Sequence, residues 1–191
     1  MFTRLYNFMM LWAQKPQAPW YLAGLSFAES SFFPIPPDVM LAPMCLAKPA
    51  AAWRYAFLTT IASVAGGLLG YVLGYFAFEM MQAIIVSAGY EAAYLHAKHW
   101  FSEWGFWAIF LAGFSPIPYK VFTITAGSLS MGLFPFVLAS VIGRGLRFYL
   151  VAGLLVWKGE RMAQLLPQYV ERIGWGVIVL VVTLYFLIQW T

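Results

Sequence analysis

Apolar residues run through this chain in long stretches, and the positions that interrupt them predict its elements. Trp20 to Leu46 is apolar but is cut by Pro34, Pro36 and Pro37. Proline removes a backbone donor and clashes with the preceding turn of a helix, so this stretch predicts a re-entrant hairpin and not one crossing. Trp53 to Phe78 is continuous, and at more than the roughly 20 residues a hydrocarbon core demands it predicts a full crossing. Its Gly66, Gly67, Gly70 and Gly74 recur at spacings that let a second helix approach closely. Ser87 to Trp104 mixes Glu91, His96, Lys98, His99 and Glu103 with aromatics and predicts an interfacial helix. Gly105 to Met131 is apolar again and is broken again, at Pro116 and Pro118. Leu133 to Trp157 predicts a second crossing, Lys158 to Arg172 another interfacial stretch, and Trp175 to Trp190 a third, short crossing. Residues 1–16, closed by Lys15-Pro16, read as an amphipathic entry helix, since no small-residue cleavage site marks a signal peptide.

The two halves resemble each other. Pro34-Ile35-Pro36-Pro37-Asp38-Val39-Met40 lies over Pro116-Ile117-Pro118-Tyr119-Lys120-Val121-Phe122, and each string runs on into a crossing. A hairpin that returns to its own side followed by one crossing reverses the orientation of the next unit, which makes the repeat inverted. Transporters use such repeats with broken helices, and their sites lie near the midplane. The alternative is that two Pro-Ile-Pro strings match by chance in an apolar chain. The fold class expected is an all-α integral membrane protein of one domain, with about three full crossings and two re-entrant hairpins. Its parts are a first repeat over 20–86, an interfacial helix over 87–104, a second repeat over 105–157 and a C-terminal part over 158–191.

Composition agrees with that reading. Of 191 residues, 63% are hydrophobic and 9% charged, against roughly 25% charged in a soluble domain. The net charge of +4 does not predict nucleic-acid binding, because the basic residues are scattered at segment ends and form no polar face. Under the expected topology Arg4, Lys15, Lys48, Arg54, Lys158, Arg161 and Arg172 share one side and Lys98 alone takes the other. By the positive-inside rule the N-terminus is then cytoplasmic. Cys45 is the only cysteine, so no disulfide within the chain is possible.

Five charges remain at membrane depth: Glu29, Asp38, Lys120, Arg144 and Arg147. Each costs about 2.5 to 3.5 kcal/mol at a helix centre, so they are expected to face one another or a wet cavity. Asp38 and Lys120 hold equivalent positions, which puts opposite charges at matching hairpin tips. A carboxyl in a low-dielectric site favours its protonated form, which makes Glu29, with Asp38, the candidate for proton coupling. The alternative for Glu29 is a buried carboxyl satisfied by Ser30, Ser31 and backbone amides. Arg144 and Arg147 are three apart on one helix face, and Gly143 and Gly145 leave room for a ligand at the backbone. With Lys120 they could bind an anionic substrate, arginine being a forked phosphate donor; the alternative is that they snorkel or pair with Glu29 and Asp38. His96, His99 and Glu103 share a face but read as surface groups and not as metal ligands. No cofactor and no catalytic constellation is expected.

On Glu29 with Pro34-Ile35-Pro36-Pro37-Asp38, on Phe114-Ser115-Pro116-Ile117-Pro118-Tyr119-Lys120 with Ala126-Gly127, and on the Gly66 to Gly74 pattern and Gly143-Arg144, the chain resembles the DedA family. This is the VTT or SNARE-associated Golgi protein domain family; the likeness covers about Trp20 to Trp157 and is closest to the YqaA-like branch. It implies a multi-pass bacterial inner-membrane protein with two re-entrant hairpins that moves lipids between leaflets, undecaprenyl phosphate for instance, with proton coupling in some members. It also implies that the family's acidic pair falls on Glu29 and Asp38. The basic pair fits less well: Lys120 stands near one arginine, but Ser115 occupies the place of the other unless Arg144 or Arg147 supplies that charge. The leading expectation is a proton-linked translocase of an anionic lipid, with membrane lipid and protons as partners and a homo-oligomer left open. The alternatives are a proton-coupled exporter of a small solute or ion, a non-transporting assembly factor and, last, an intramembrane lipid phosphatase.

Overall fold

The computed structural model describes residues 15–31, 35–87, 91–115 and 117–159, together with residues 172, 175, 176, 179, 180 and 183. The described elements are helices α1 (Ala18–Ser31), α2 (Asp38–Ala47), a short 3-10 turn (Pro49–Ala51), α3 (Ala52–Ser87), α4 (Glu91–Phe114), α5 (Tyr119–Ser128) and α6 (Leu133–Lys158). Two stretches are long and apolar enough to cross a membrane, Pro49–Phe78 and Leu133–Lys158, and these match the first two crossings expected. The N-terminal helix, Pro34, Pro116 and nearly all of the third crossing lie outside the described residues.

The prolines act at the breaks. Pro37 caps the start of α2 with φ −66° and Pro118 that of α5 with φ −62°, positions where a missing N–H costs nothing. At 10 residues each, α2 and α5 are about 15 Å long, half the thickness of a hydrocarbon core. One boundary differs from expectation. The interfacial stretch and the first arm of the second hairpin are a single 24-residue helix, α4, that runs straight through Gly105. A side chain there would meet the Phe101 ring at 2.7 Å and Met131 Sδ at 3.1 Å, so Gly105 serves close packing and not a break.

Contacts fix the helix directions. Ser26 and Ser30 of α1 meet Thr59 and Ser63 of α3, so these helices are parallel. Tyr119 and Thr123 of α5 meet Gly67 and Gly70, a second parallel pair. Arg144 meets Ser63 while Gly153 meets Trp53, so α6 runs antiparallel to α3. Phe110 and Ser115 of α4 meet Gly143 and Arg147, and Leu41, Met44 and Cys45 of α2 pack with Phe148, Val151, Ala152 and Leu155, so α2 and α4 both follow α6. The turns after α1 and α4 therefore both arrive near Ser63 and Arg144, the middles of the two long helices. Lys15, Lys48, Arg54 and Lys158 gather at one end of the stack, and Lys98 lies toward the other.

The outside is more apolar than that of a water-soluble fold, while the interior mixes apolar clusters with polar side chains. The buried set includes Ser26, Ser30, Thr59, Thr60, Ser63, Ser115, Thr123, Ser140 and Arg144, while Trp20, Phe57, Phe76, Phe134 and Trp157 are among many exposed large apolar side chains. Apolar surface on that scale is unstable in water, and a hydrogen-bonded polar interior is what a hydrocarbon solvent requires.

Candidate functional site

Small residues bring the backbones together around the tips. A side chain at Gly66 would collide with the Phe27 carbonyl, and one at Gly127 with the Tyr71 carbonyl. The α1 contact is then secured by Ser26 Oγ donating to the Thr59 carbonyl at 2.8 Å and Ser31 Oγ to the Gly66 carbonyl at 3.0 Å. Between these two ties, Glu29 and Ser30 face Ser63 and Arg144.

Arg144 is enclosed, its side chain 2% exposed. Its Nε donates to Ser63 Oγ and its Nη2 to Glu29 Oε2 and, at 2.9 Å, to Ser30 Oγ. The guanidinium carbon lies 4.9 Å from the ring centres of both Tyr119 and Phe148, a cation–π setting that strengthens as water is excluded. The two serine hydroxyls are 2.7 Å apart, and Ser30 Oγ donates to Glu29 at 3.1 Å. With Ser63 donating to Ser30 and Ser30 to Glu29, each hydroxyl has a donor and an acceptor. Charge and hydrogen bonds balance in this half of the site.

The second half is more open and less complete. Arg147 Nη2 donates to Asp38 Oδ2 at 2.7 Å and Nη1 to the Ser115 carbonyl at 2.9 Å. The Asp38 side chain is 20% exposed and that of Arg147 13%. Three buried atoms here have no hydrogen-bond partner among the described residues: Asp38 Oδ1, Arg147 Nε and Ser115 Oγ. The Tyr119 and Ser140 hydroxyls, also buried, face each other. Lys120, half-buried in the first turn of α5, makes no ion pair among the described residues. Two donors and an acceptor thus stand ready around the Asp38–Arg147 pair, and Lys120 adds a cation on the first turn of α5. Buried polar atoms are seldom left so.

A model of the VTT domain matches residues 33–157, from the first tip to the end of α6. The chain belongs to the VTT-domain family. This is the DedA family of membrane proteins to which the sequence resemblance pointed. A protein of Haemophilus influenzae carrying only the name uncharacterised protein is 47% identical over 188 residues, 98% of each chain. A second such protein, from Histophilus somni, is 46% identical over the same shares. A more distant one from Methanocaldococcus jannaschii is 26% identical over 132 residues, 69% of this chain and 78% of its own. No solved structure matches.

Of the predicted site residues, Asp38, Lys120, Arg144 and Arg147 lie within the matched VTT residues, and Glu29 lies just before them on α1. Glu29, Asp38, Arg144 and Arg147 converge as two ion pairs, the arrangement in which the arginines are partnered by the carboxylates. Asp38 pairs with Arg147 and not with Lys120, its equivalent in the repeat. Arg147, by binding the Ser115 carbonyl, brings positive charge to the place where the family resemblance led one to expect a further base. The glycines flanking Arg144 do not hold space for a ligand: Gly143 is filled by the Phe110 backbone, with an added Cβ only 2.6 Å from its carbonyl, and Gly145 faces Thr60 at 3.7 Å. Their role is helix contact. His99 and Glu103 form an exposed pair at 3.6 Å, far from the tips in sequence. Sequence reasoning missed Ser63 and Tyr119. Ser63 was visible as a hydroxyl three residues before the first glycine of an apolar crossing, on the face that glycine defines.

Proposed function

We propose that this protein is a proton-linked translocase of an anionic lipid, a polyprenyl phosphate such as undecaprenyl phosphate fitting best, and that it is a transporter and not an enzyme. The observation that carries this reading is the surplus of positive charge and unpartnered hydrogen-bonding atoms at the meeting of the tips. Three cations, Lys120, Arg144 and Arg147, stand against two carboxylates, Glu29 and Asp38. The start of α5 adds its own positive helix end with no side-chain cap. A phosphate group meets those needs, since its oxygens accept from Arg147 Nε and Ser115 Oγ and a protonated one donates to Asp38 Oδ1.

Protons enter through the carboxylates. In the arrangement described both arginines are neutralised, so an anion must compete with Asp38 for Arg147. Protonation of Asp38 weakens that pair and frees the guanidinium, coupling proton uptake to anion binding. The lipid tail stays in the bilayer throughout, which suits a small bundle. The helix directions support an inverted repeat with two re-entrant hairpins: each long helix packs against the first arm of its own half and the second arm of the other. Alternating access then follows from one half rocking against the other. The cationic end of the stack supports a cytoplasmic N-terminus in a bacterial inner membrane.

The test is transport in liposomes containing the full chain. Movement of a labelled polyprenyl phosphate between leaflets, with and without a pH gradient, is compared with Glu29→Gln, Asp38→Asn and Lys120→Ala. We expect gradient-dependent movement that falls at least tenfold in each variant. Movement equal to empty liposomes from folded protein, or full gradient dependence in Asp38→Asn, refutes the reading and favours export of a small solute.

A further inference from the structure

The charged end of the stack carries a feature that transport at the tips does not use. An open groove of about 560 Å³ runs beside the start of α3, between Pro19 of α1 and Tyr149 of α6. Its floor and walls come from Trp53, Arg54, Phe57 and Leu58, so one guanidinium stands in an otherwise apolar and aromatic channel. Arg54 is exposed and makes no ion pair among the described residues. Trp53 stacks on Tyr149, ring centres 5.9 Å apart at 22°, which braces the two long helices at this level.

Depth decides what can lie there. The apolar stretch Pro49–Phe78 has 30 residues, about 45 Å at 1.5 Å each, which matches a bilayer with its headgroups. Arg54 stands about 7 Å in from that end, at headgroup level. Phe57 and Ile61, each about half exposed, continue the row from Trp53 toward the hydrocarbon. Cation at the headgroup, aromatic ring at the interface and apolar track below is the profile of a phospholipid with a negative head and a chain laid along the protein.

We propose that this groove is a binding site for an anionic phospholipid of the leaflet on the basic side, held by Arg54 at the phosphate and by Trp53, Phe57 and Tyr149 along the upper chain. The choice of an anionic lipid over a zwitterionic one rests on the unpaired guanidinium. Its neighbours at that end, Lys15, Lys48 and Lys158, add to the attraction. The site lies at one end of the stack and not at the tips, so it stands whether or not the tips move lipid. A bound lipid there would brace α3 against α6 and so bias the relative position of the halves.

The test uses the full chain in detergent micelles, titrated with phosphatidylglycerol or phosphatidylcholine bearing brominated chains. Quenching of Trp53 is read as the difference between the native protein and Trp53→Phe. Phosphatidylglycerol is expected to quench at about fivefold lower mole fraction than phosphatidylcholine, the value of one cation near a membrane surface. Arg54→Gln should remove that preference and Arg54→Lys keep most of it, with helix content unchanged in both because the side chain is exposed. Equal quenching by the two lipids makes the groove ordinary lipid-facing surface and overturns the proposal. So does a preference that survives Arg54→Gln. Absence of quenching in a chain that light scattering finds dimeric gives the groove to a second copy, which overturns it as well.

Discussion

The enclosed Glu29–Arg144 pair offers a quantitative test of what holds the two halves together. Arg144→Met keeps the aliphatic bulk under Tyr119 and Phe148 but removes the donors to Ser63, Ser30 and Glu29. Glu29 is then left with the Ser30 hydroxyl as its hydrogen-bond partner, in a setting 19% exposed. Removing one member of a buried pair costs about 3 to 5 kcal/mol, mostly because the other charge stays buried. Glu29→Gln alone costs less, about 1 to 3 kcal/mol, since the guanidinium keeps both serine hydroxyls and gains an amide oxygen. In the double variant no charge remains to be buried, and replacing a whole pair by apolar or neutral groups is often close to neutral. The double variant is therefore expected to be more stable than Arg144→Met, with a coupling energy of about 2 kcal/mol or more. Unfolding in mixed dodecyl maltoside and dodecyl sulfate micelles, followed by tryptophan fluorescence, gives the four stabilities. Costs that simply add refute the reasoning, for they would mean that the two side chains do not sense each other.

Two further predictions concern packing and orientation. Gly127→Ala drives a methyl group into the Tyr71 carbonyl, and the same unfolding assay is expected to register a loss of about 1 to 3 kcal/mol. Gly24→Ala, where nothing lies within 4 Å, should leave stability unchanged or slightly improved. Cys45 is buried, so single cysteines at Arg54 and Lys98 can be labelled against a silent background. An impermeant maleimide should reach Lys98→Cys in intact spheroplasts and Arg54→Cys only in inside-out vesicles, and labelling of both from one side would reject the topology.

Much of the architecture was legible because its causes are local. Pro36, Pro37 and Pro118 stand at the breaks before α2 and α5, and a run such as Trp53 to Phe78 is long and apolar enough to cross a membrane. The boundary at Gly105 misled because it followed a change from mixed to apolar composition, which a helix can cross unbroken, as α4 does. The charged residues were found by their cost, but not their partners. Equivalence of Asp38 and Lys120 invited pairing of tip with tip. In the bundle α2 lies against α6 and α5 against α3, so each tip meets the other half's long helix first. Arg147 is what α6 presents to Asp38.

The same logic explains why Lys120 is left over and what that implies for movement. The offset that lays Pro34 on Pro116 and Asp38 on Lys120 also lays Ala65 on Arg147, Ala62 on Arg144 and Leu111 on Glu29. The proline strings repeat, but the charges do not: both carboxylates lie before or at the start of α2, both arginines on α6, and α3 offers alanine where the offset would put a partner for Lys120. On the transport reading, the two arrangements that an inverted repeat can adopt are then unequal in energy. One keeps two ion pairs closed, and the arrangement related to it by exchange of the halves must open them without forming replacements. Such an imbalance can be offset only by ligands that bind the second arrangement better. A proton on Asp38 and an anion on Arg147 and Lys120 do that together, and neither does it alone, since the proton leaves the arginine unsatisfied and the anion must displace a carboxylate. Coupling would then need no separate gate, being a consequence of acids placed in one half and bases in the other.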